Sequence, residues 1–159
     1  HVACIYGRGE IVRLLEVSGA DSALQNVNGE LPAHHAVMKK KFGGELQSKD
    51  RAGVLRELKT LDGARNDGKT PLMLLQYLNL NTTRELLPIF LERGVNVNAA
   101  DNEGNTALYH ALKYGNQEAA RFLIKKGADY NHTNNKGESA VQVAVEKGYD
   151  TVLERMTDI

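Results

Sequence analysis

The fold class this sequence predicts is an all-α solenoid: about four and a half helix-turn-helix repeats stacked side by side, with short β-hairpin or turn fingers between them. Three observations predict it. Gly104-Asn105-Thr106-Ala107-Leu108 is echoed by Gly137-Glu138-Ser139-Ala140-Val141, a period of 33 residues. Within one period, two short apolar runs at helical spacing flank a single glycine, as in Leu108 to Ile124 around Gly115. Each period then closes on a stop such as Gly127-Ala128-Asp129, followed by a stretch with the Asp/Asn/Gly chemistry of a turn. Arrays of this kind display surfaces more often than they house chemistry.

The elements follow in order. Residues 1–25 form a partial unit, with a helix through Glu10-Ile11-Val12-Arg13-Leu14-Leu15 stopped at Gly19-Ala20-Asp21. Residues 26–64 carry Gly29-Glu30-Leu31-Pro32-Ala33-His34-His35-Ala36, with Leu31 where a capping hydroxyl is expected. This unit exceeds the period, and the excess is assigned to Lys39-Lys40-Lys41-Phe42-Gly43-Gly44-Glu45-Leu46-Gln47, a loop before a helix starting near Ser48. Val54, Leu55, Leu58 and Leu61 are its expected buried side. As the most decayed unit it is the expected soft segment, with the fastest hydrogen exchange around Lys39 to Gln47.

Residues 65–100 contain Gly68-Lys69-Thr70-Pro71-Leu72, with Thr70 as the N-cap and Pro71 at the first helical position. Extra residues fall near Asn79-Leu80-Asn81, and Pro88 predicts a kink or a shortened first turn in the second helix. Residues 101–133 are the most regular unit. Thr106 caps a helix through Leu108, Ala111 and Leu112, and Gly115 ends it in the left-handed conformation. Ala119, Ala120, Phe122, Leu123 and Ile124 form the apolar side of the second helix, which Gly127 stops. Residues 134–159 end in a short helix from about Thr151. Arg155 takes the position of Phe122, with Glu154 beside it, so this unit has the polar outer face of a terminal cap and the array is expected to end there.

Taken together these residues resemble the ankyrin repeat family, whose unit reads roughly D-x-x-G-x-T-P-L-H, then A-A-x-x-G, then G-A-D. Gly68-Lys69-Thr70-Pro71-Leu72 matches it best. His1-Val2-Ala3-Cys4-Ile5-Tyr6-Gly7 matches from the pattern's His onward, so the chain opens in mid-repeat and is expected to be a fragment of a longer protein or to lack its natural start. The resemblance covers nearly the whole chain, residues 1–159, as a single ankyrin-like array.

Composition narrows the function. Lys+Arg and Asp+Glu both number 20, so the basic excess of a nucleic-acid binder is missing. No apolar run approaches the roughly 18 residues of a membrane span. One cysteine, Cys4, can form neither an internal disulfide nor a thiolate zinc site, which fits a reducing, cytoplasmic setting. Cys4 falls where the resemblance implies a small buried residue. His34 and His35 are adjacent, about 100° apart on a helix, and would not chelate one metal well. Lys39-Lys40-Lys41-Phe42 reads as a solvated charged loop. No catalytic residue, cofactor or metal is expected.

The resemblance also implies where partners bind: at the finger tips and at the exposed end of each first helix. The two residues before each inter-helix glycine would line the inner surface: Ile5 and Tyr6, Met38 and Lys39, Tyr77 and Leu78, Lys113 and Tyr114, Glu146 and Lys147. Finger tips would add Asn102, Glu103, Asn105 and Lys136, with Val27, Asn28, Glu30, Asn66, Asp67, Lys69, Asn135 and Glu138 as further candidates. The expected partner-binding set is Tyr6, Met38, Lys39, Tyr77, Leu78, Asn102, Glu103, Asn105, Lys113, Tyr114, Lys136 and Glu146. Tyr6, Tyr77 and Tyr114 are half of the six tyrosines, and exposed tyrosine favours protein recognition. The expected function is a non-catalytic protein–protein interaction module that binds a protein or peptide, not nucleic acid or membrane, as a monomer. The alternative is an intramolecular regulatory or targeting segment of a larger enzyme or channel. Asn98 and Asn131 occupy the finger position that asparaginyl hydroxylases modify in some animal members, although a plain turn asparagine is the simpler reading.

Overall fold

Residues 1–38 and 47–157 are described by a computed structural model, in which helices take up the apolar runs and glycines punctuate them. The chain divides into two compact units, His1–Val95 and Asn96–Ile159. The first contains α1 (Val2–Ile5), α2 (Gly9–Val17), α3 (Pro32–Val37), α4 (Ser48–Glu57), α5 (Pro71–Leu74) running into a 3-10 turn (Leu75–Tyr77), and α6 (Leu80–Glu92). Its helices form two rows. α3 packs between α1 and α5, and α4 packs between α2 and α6. The second unit contains α7 (Ala107–Lys113), α8 (Gln117–Lys125), α9 (Ala140–Glu146) and α10 (Asp150–Thr157). There α7 packs on α9 and α8 on α10, the same two-row arrangement. Isolated antiparallel bridges, Ala100 with Thr106 and Thr133 with Ser139, close the fingers of this unit.

Local chemistry sets the helix ends. Thr70, Thr106 and Ser139 each accept from the backbone N–H three residues on, satisfying one of the orphan donors of a first turn. Gln142 returns a bond to the Ser139 amide at 2.7 Å, completing a capping box. Gly115, at φ +80, lets the Asn116 amide reach back to the Ala111 carbonyl at 2.8 Å and so end α7.

The second repeat keeps its helix without a capping hydroxyl. The amide of Leu31 donates to Nδ1 of His34 at 2.9 Å, and Nε2 of His34 contacts the Lys69 carbonyl at 2.9 Å. An N–H aimed at Nδ1 places the ring proton on Nε2, so His34 is a neutral strut between one finger and the next. Of the loop expected from Lys39 to Gln47, residues 39–46, with the hydrogen exchange expected there, lie outside the described residues, and Gln47 is the extended residue before α4. α4 does start at Ser48, and Val54, Leu55, Leu58 and Leu61 are all buried.

Pro88 lies inside α6, the second helix of the third repeat, and is solvent-exposed, where its ring has room. The extra residues lengthen the front of α6 to 13 residues, against nine in α8. Asn79, in the stretch where the extra residues are expected, is extended at φ −67 and caps α6, accepting from the Thr82 amide at 2.9 Å.

Candidate partner-binding surfaces

The fingers are tied together by an asparagine that recurs in both units. In the first, the Asn66 amide donates to the Asn28 carbonyl at 3.0 Å and Asn66 Nδ2 to the Val27 carbonyl at 3.2 Å. In the second, the Asn135 amide donates to the Glu103 carbonyl at 3.0 Å and Asn135 Nδ2 to the Asn102 carbonyl at 3.0 Å. Gly104 sits at the point of closest approach, at φ +80, where an added Cβ would lie 2.8 Å from Asn135 Oδ1. Asn66 and Asn135 therefore spend their polar groups on the finger ladder. Asx turns shape the tips themselves. Asp101 Oδ1 accepts from the amides of Glu103 and Asn105, and Asn134 Oδ1 from those of Lys136 and Glu138.

Within the first unit, Tyr6 is 59 % and Tyr77 37 % exposed, and Met38 is half-buried. Arg65, which the sequence reading did not single out, joins these neighbours electrostatically. It holds Asp67 bidentately at 2.7 Å for both bonds, approaches Glu30 at 3.8 Å, and donates to Met38 Sδ at 3.7 Å. The Arg65 hydrogen bond holds the Asp67 carboxyl down to about 2 against the opposing effect of burial. Burial pushes Glu30 up, but the Asn26 amide, His35 and Arg65 outweigh it and the net shift is downward. The result is a fixed cluster of alternating charge, flanked by Met38.

Leu78 does not join that surface. It is 8 % exposed, because the chain leaves the 3-10 turn in an extended conformation at ψ 166, whereas Tyr114 at the matching position has ψ 6 and points outward. Lys39 lies outside the described residues.

Within the second unit, Tyr114 is 55 % exposed and stacks on the His110 ring at an interplanar angle of 10°. Lys113, Glu146, Lys136, Asn102 and Glu103 are exposed. Asn105 is buried: it donates to Glu103 and accepts from Asn134 Nδ2 at 2.8 Å, so its side chain serves the finger root. Val145, 61 % exposed on α9, is an apolar surface residue that the sequence pattern concealed, since its counterpart Leu112 is fully buried.

Other candidates are occupied by structure. Burial pushes the Cys4 thiol up to about 11, so it is a protonated packing group at neutral pH. Burial likewise lowers His34 and His35. Among the described residues no group of three or more His, Cys, Asp or Glu side chains converges on a metal position, and no helix is long and apolar enough to cross a membrane.

A family model described as ankyrin repeats (3 copies) matches residues 45–134 and again 78–157. The chain is 31% identical over 138 residues to Neurogenic locus notch homolog protein 2 of Homo sapiens, an alignment covering 87% of this chain and 5% of that protein. It is 34% identical over 144 residues to Neurogenic locus notch homolog protein 1 of Mus musculus, again covering 87% and 5%. To the Xenopus laevis Neurogenic locus notch homolog protein 1 it is 32% identical over 144 residues, covering 91% of this chain and 5% of the relative. The chain thus spans about 5% of the length of these curated relatives.

Proposed function

Because this chain belongs to the ankyrin repeat family, we propose that it is a non-catalytic module that docks a protein or peptide through the exposed ends of its inner helices and its finger tips. The observation that carries the reading is the exposure of Tyr6, Tyr77 and Tyr114 at the ends of the inner helices. Tyrosine has two rotatable side-chain torsions and a large amphipathic face, so it gives contact area at a small entropy cost. The fingers beside it are pre-ordered by their asparagine ladder, so little further ordering is needed on docking. A protein that works through such a surface in a reducing, cytoplasm-like compartment needs no disulfide or metal.

The test is to identify the partner by affinity purification and mass spectrometry, then measure its affinity for Tyr77→Ala and Tyr114→Ala chains with unchanged helical signal. Weakened binding by about tenfold or more for either variant is expected of interface tyrosines. Unchanged affinity for both removes the tyrosine surface. A second reading is favoured by the small share of the relatives that the chain spans: the segment serves as an intramolecular regulatory or targeting element of a larger protein. Docking of the isolated chain onto another part of its own full-length product would establish that version.

A further inference from the structure

Asn or Asp stands directly before glycine at three places: Asn28–Gly29, Asp62–Gly63 and Asp67–Gly68. A glycine nitrogen has no Cβ beside it, so at such a pair it can reach Cγ of the residue before it and close a five-membered imide. The fold treats the three pairs differently.

At the finger tips the nitrogen is tied elsewhere. Gly29 donates its N–H to the Asn26 carbonyl at 2.9 Å and Gly68 to the Arg65 carbonyl at 2.8 Å. Asp67 is also held as a carboxylate, since Arg65 bonds both of its oxygens at 2.7 Å and keeps the carboxyl down to about 2. An ionised carboxylate resists attack by nitrogen, because no neutral water can leave from it.

Asp62–Gly63, between α4 and the third finger, has the opposite geometry. The Gly63 amide donates to Oδ1 of Asp62 itself at 3.0 Å, so the nitrogen already lies against the carboxyl group it would attack. Gly63 is at φ +133, a conformation that favours glycine. Asp62 also lines a cleft of about 190 Å³ with Lys59, Thr60, Arg93 and Gly94, which has room for the water that the reaction releases and takes up.

We propose that Asp62 is a site of spontaneous isomerisation to isoaspartate in the folded chain, and that Asp67, in the same dipeptide, is not. The Gly63 nitrogen bonds to Cγ of the protonated carboxyl, and the nitrogen's proton leaves with the carboxyl OH as water. Water then adds to the main-chain carbonyl carbon of the imide and breaks its bond to the Gly63 nitrogen, which regains a proton. The main chain now runs through Cβ and Cγ of Asp62, at unchanged mass and with no oxidant or cofactor. Its extra methylene falls between Leu61, which is buried, and Gly63, where an added Cβ would lie 2.8 Å from Leu31 Cδ1. The product therefore gives up part of that packing. This modification is independent of the docking surface.

The test ages the 159-residue chain at mildly acidic pH, folded and in guanidinium chloride, and maps its peptides. Isoaspartyl peptides are identified by labelling with an isoaspartyl methyltransferase and S-adenosylmethionine. In the unfolded chain both Asp–Gly pairs are expected to react within about twofold of each other, because the same following residue governs both. In the folded chain Asp62 is expected to stay within about threefold of its unfolded rate, while Asp67 slows by about tenfold or more. Equal slowing at both, the mark of reaction through global unfolding, overturns the proposal, as does a faster Asp67. In an Asp62→Glu chain, which would have to close a six-membered ring, the label at this peptide is expected to vanish; a label that persists overturns the assignment. The separated isoaspartyl chain is expected to unfold about 3 °C or more below its parent, and an equal Tm would overturn the packing consequence.

Discussion

The hydroxyl of Tyr109 donates to Glu138 Oε2 at 2.6 Å, joining one repeat of the second unit to the next. His34 does the equivalent work in the first unit. It occupies the same third helical position and reaches Lys69, which, like Glu138, follows the glycine of the next finger. The side chain at this helical position thus reaches the neighbouring repeat, by a phenol in one unit and an imidazole in the other. Burial and then the Glu138 hydrogen bond push the Tyr109 phenol up to about 12, while the same bond draws Glu138 down.

Replacing Tyr109 with Phe removes the bond and keeps the ring. The expected outcome is a Tm lower by about 2–4 °C, the scale of one net hydrogen bond in a chain of this size. The wild type carries a signature the variant lacks. An unfolded tyrosine ionises near 10 and Tyr109 in the fold near 12, so its contribution is intact below pH 10 and lost as pH rises across that window. Chemical unfolding midpoints at pH 9 and 11 would show a steeper decline for the wild type; parallel declines would refute the assignment.

His34 and His35 give the first unit a dependence at the other end of the scale. Both are lowered in the fold from the usual 6.5, chiefly by burial. Below about pH 6.5 the unfolded chain therefore binds protons that the folded chain resists, so stability falls with falling pH. For His34 the geometry explains the resistance: a proton on Nδ1 would face the Leu31 N–H. His34→Gln keeps an acceptor for that amide, as Gln142 does for Ser139. It should lower stability at pH 7.5 through the lost Lys69 contact, yet flatten the decline between pH 7 and 5.5. Urea midpoints across that range test both halves, and an unflattened decline would assign the effect to His35 alone.

Glycines with the same backbone conformation should differ in cost. Gly104 and Gly127 have φ +80 and +85, so alanine at either pays about 1–2 kcal/mol for the left-handed conformation. At Gly127 a Cβ meets nothing within 4 Å, whereas at Gly104 it meets the Asn135 amide at 2.9 Å and the Asn134 Cα at 3.0 Å. Gly104→Ala should therefore cost about 1–3 kcal/mol more than Gly127→Ala, because finger backbone has to move. Equal losses in urea unfolding would mean that the two fingers are not held together by the Asn135 ladder.

The period, the caps at Thr70 and Thr106 and the stops at Gly115 and Gly127 were legible because backbone geometry restricts which residues can stand there. Arg51 was not. In sequence it is one more charge beside Lys49 and Asp50, yet it is 1 % exposed and donates to the carbonyls of Ala36 and Met38 at 2.8 and 3.0 Å. Those carbonyls need it, since α3 ends at an extended Met38 with no glycine to turn them inward. Pairing across an insertion leaves no trace in spacing. The candidate site was half legible for a related reason. Tyr6 and Tyr114 precede a left-handed glycine and point out, but the third repeat has Asn79 in that place, and the changed backbone turns Leu78 inward.

Tyr77 and Leu78, adjacent in sequence, therefore make a pair that separates binding from folding. Leu78→Ala removes a side chain 8 % exposed, and large-to-small changes at such sites cost about 2–5 kcal/mol because the surroundings refill the space only in part. Tyr77→Ala removes a ring 37 % exposed at the end of a 3-10 turn, and should cost under about 1 kcal/mol. The expected pattern is crossed. Tyr77→Ala weakens partner affinity at nearly constant unfolding midpoint, and Leu78→Ala lowers the midpoint while the folded fraction binds with native affinity. Measuring both quantities on both chains checks it: a Leu78→Ala chain that is stable but binds weakly would move the contact inward, and a Tyr77→Ala chain that unfolds early would make the tyrosine a packing residue.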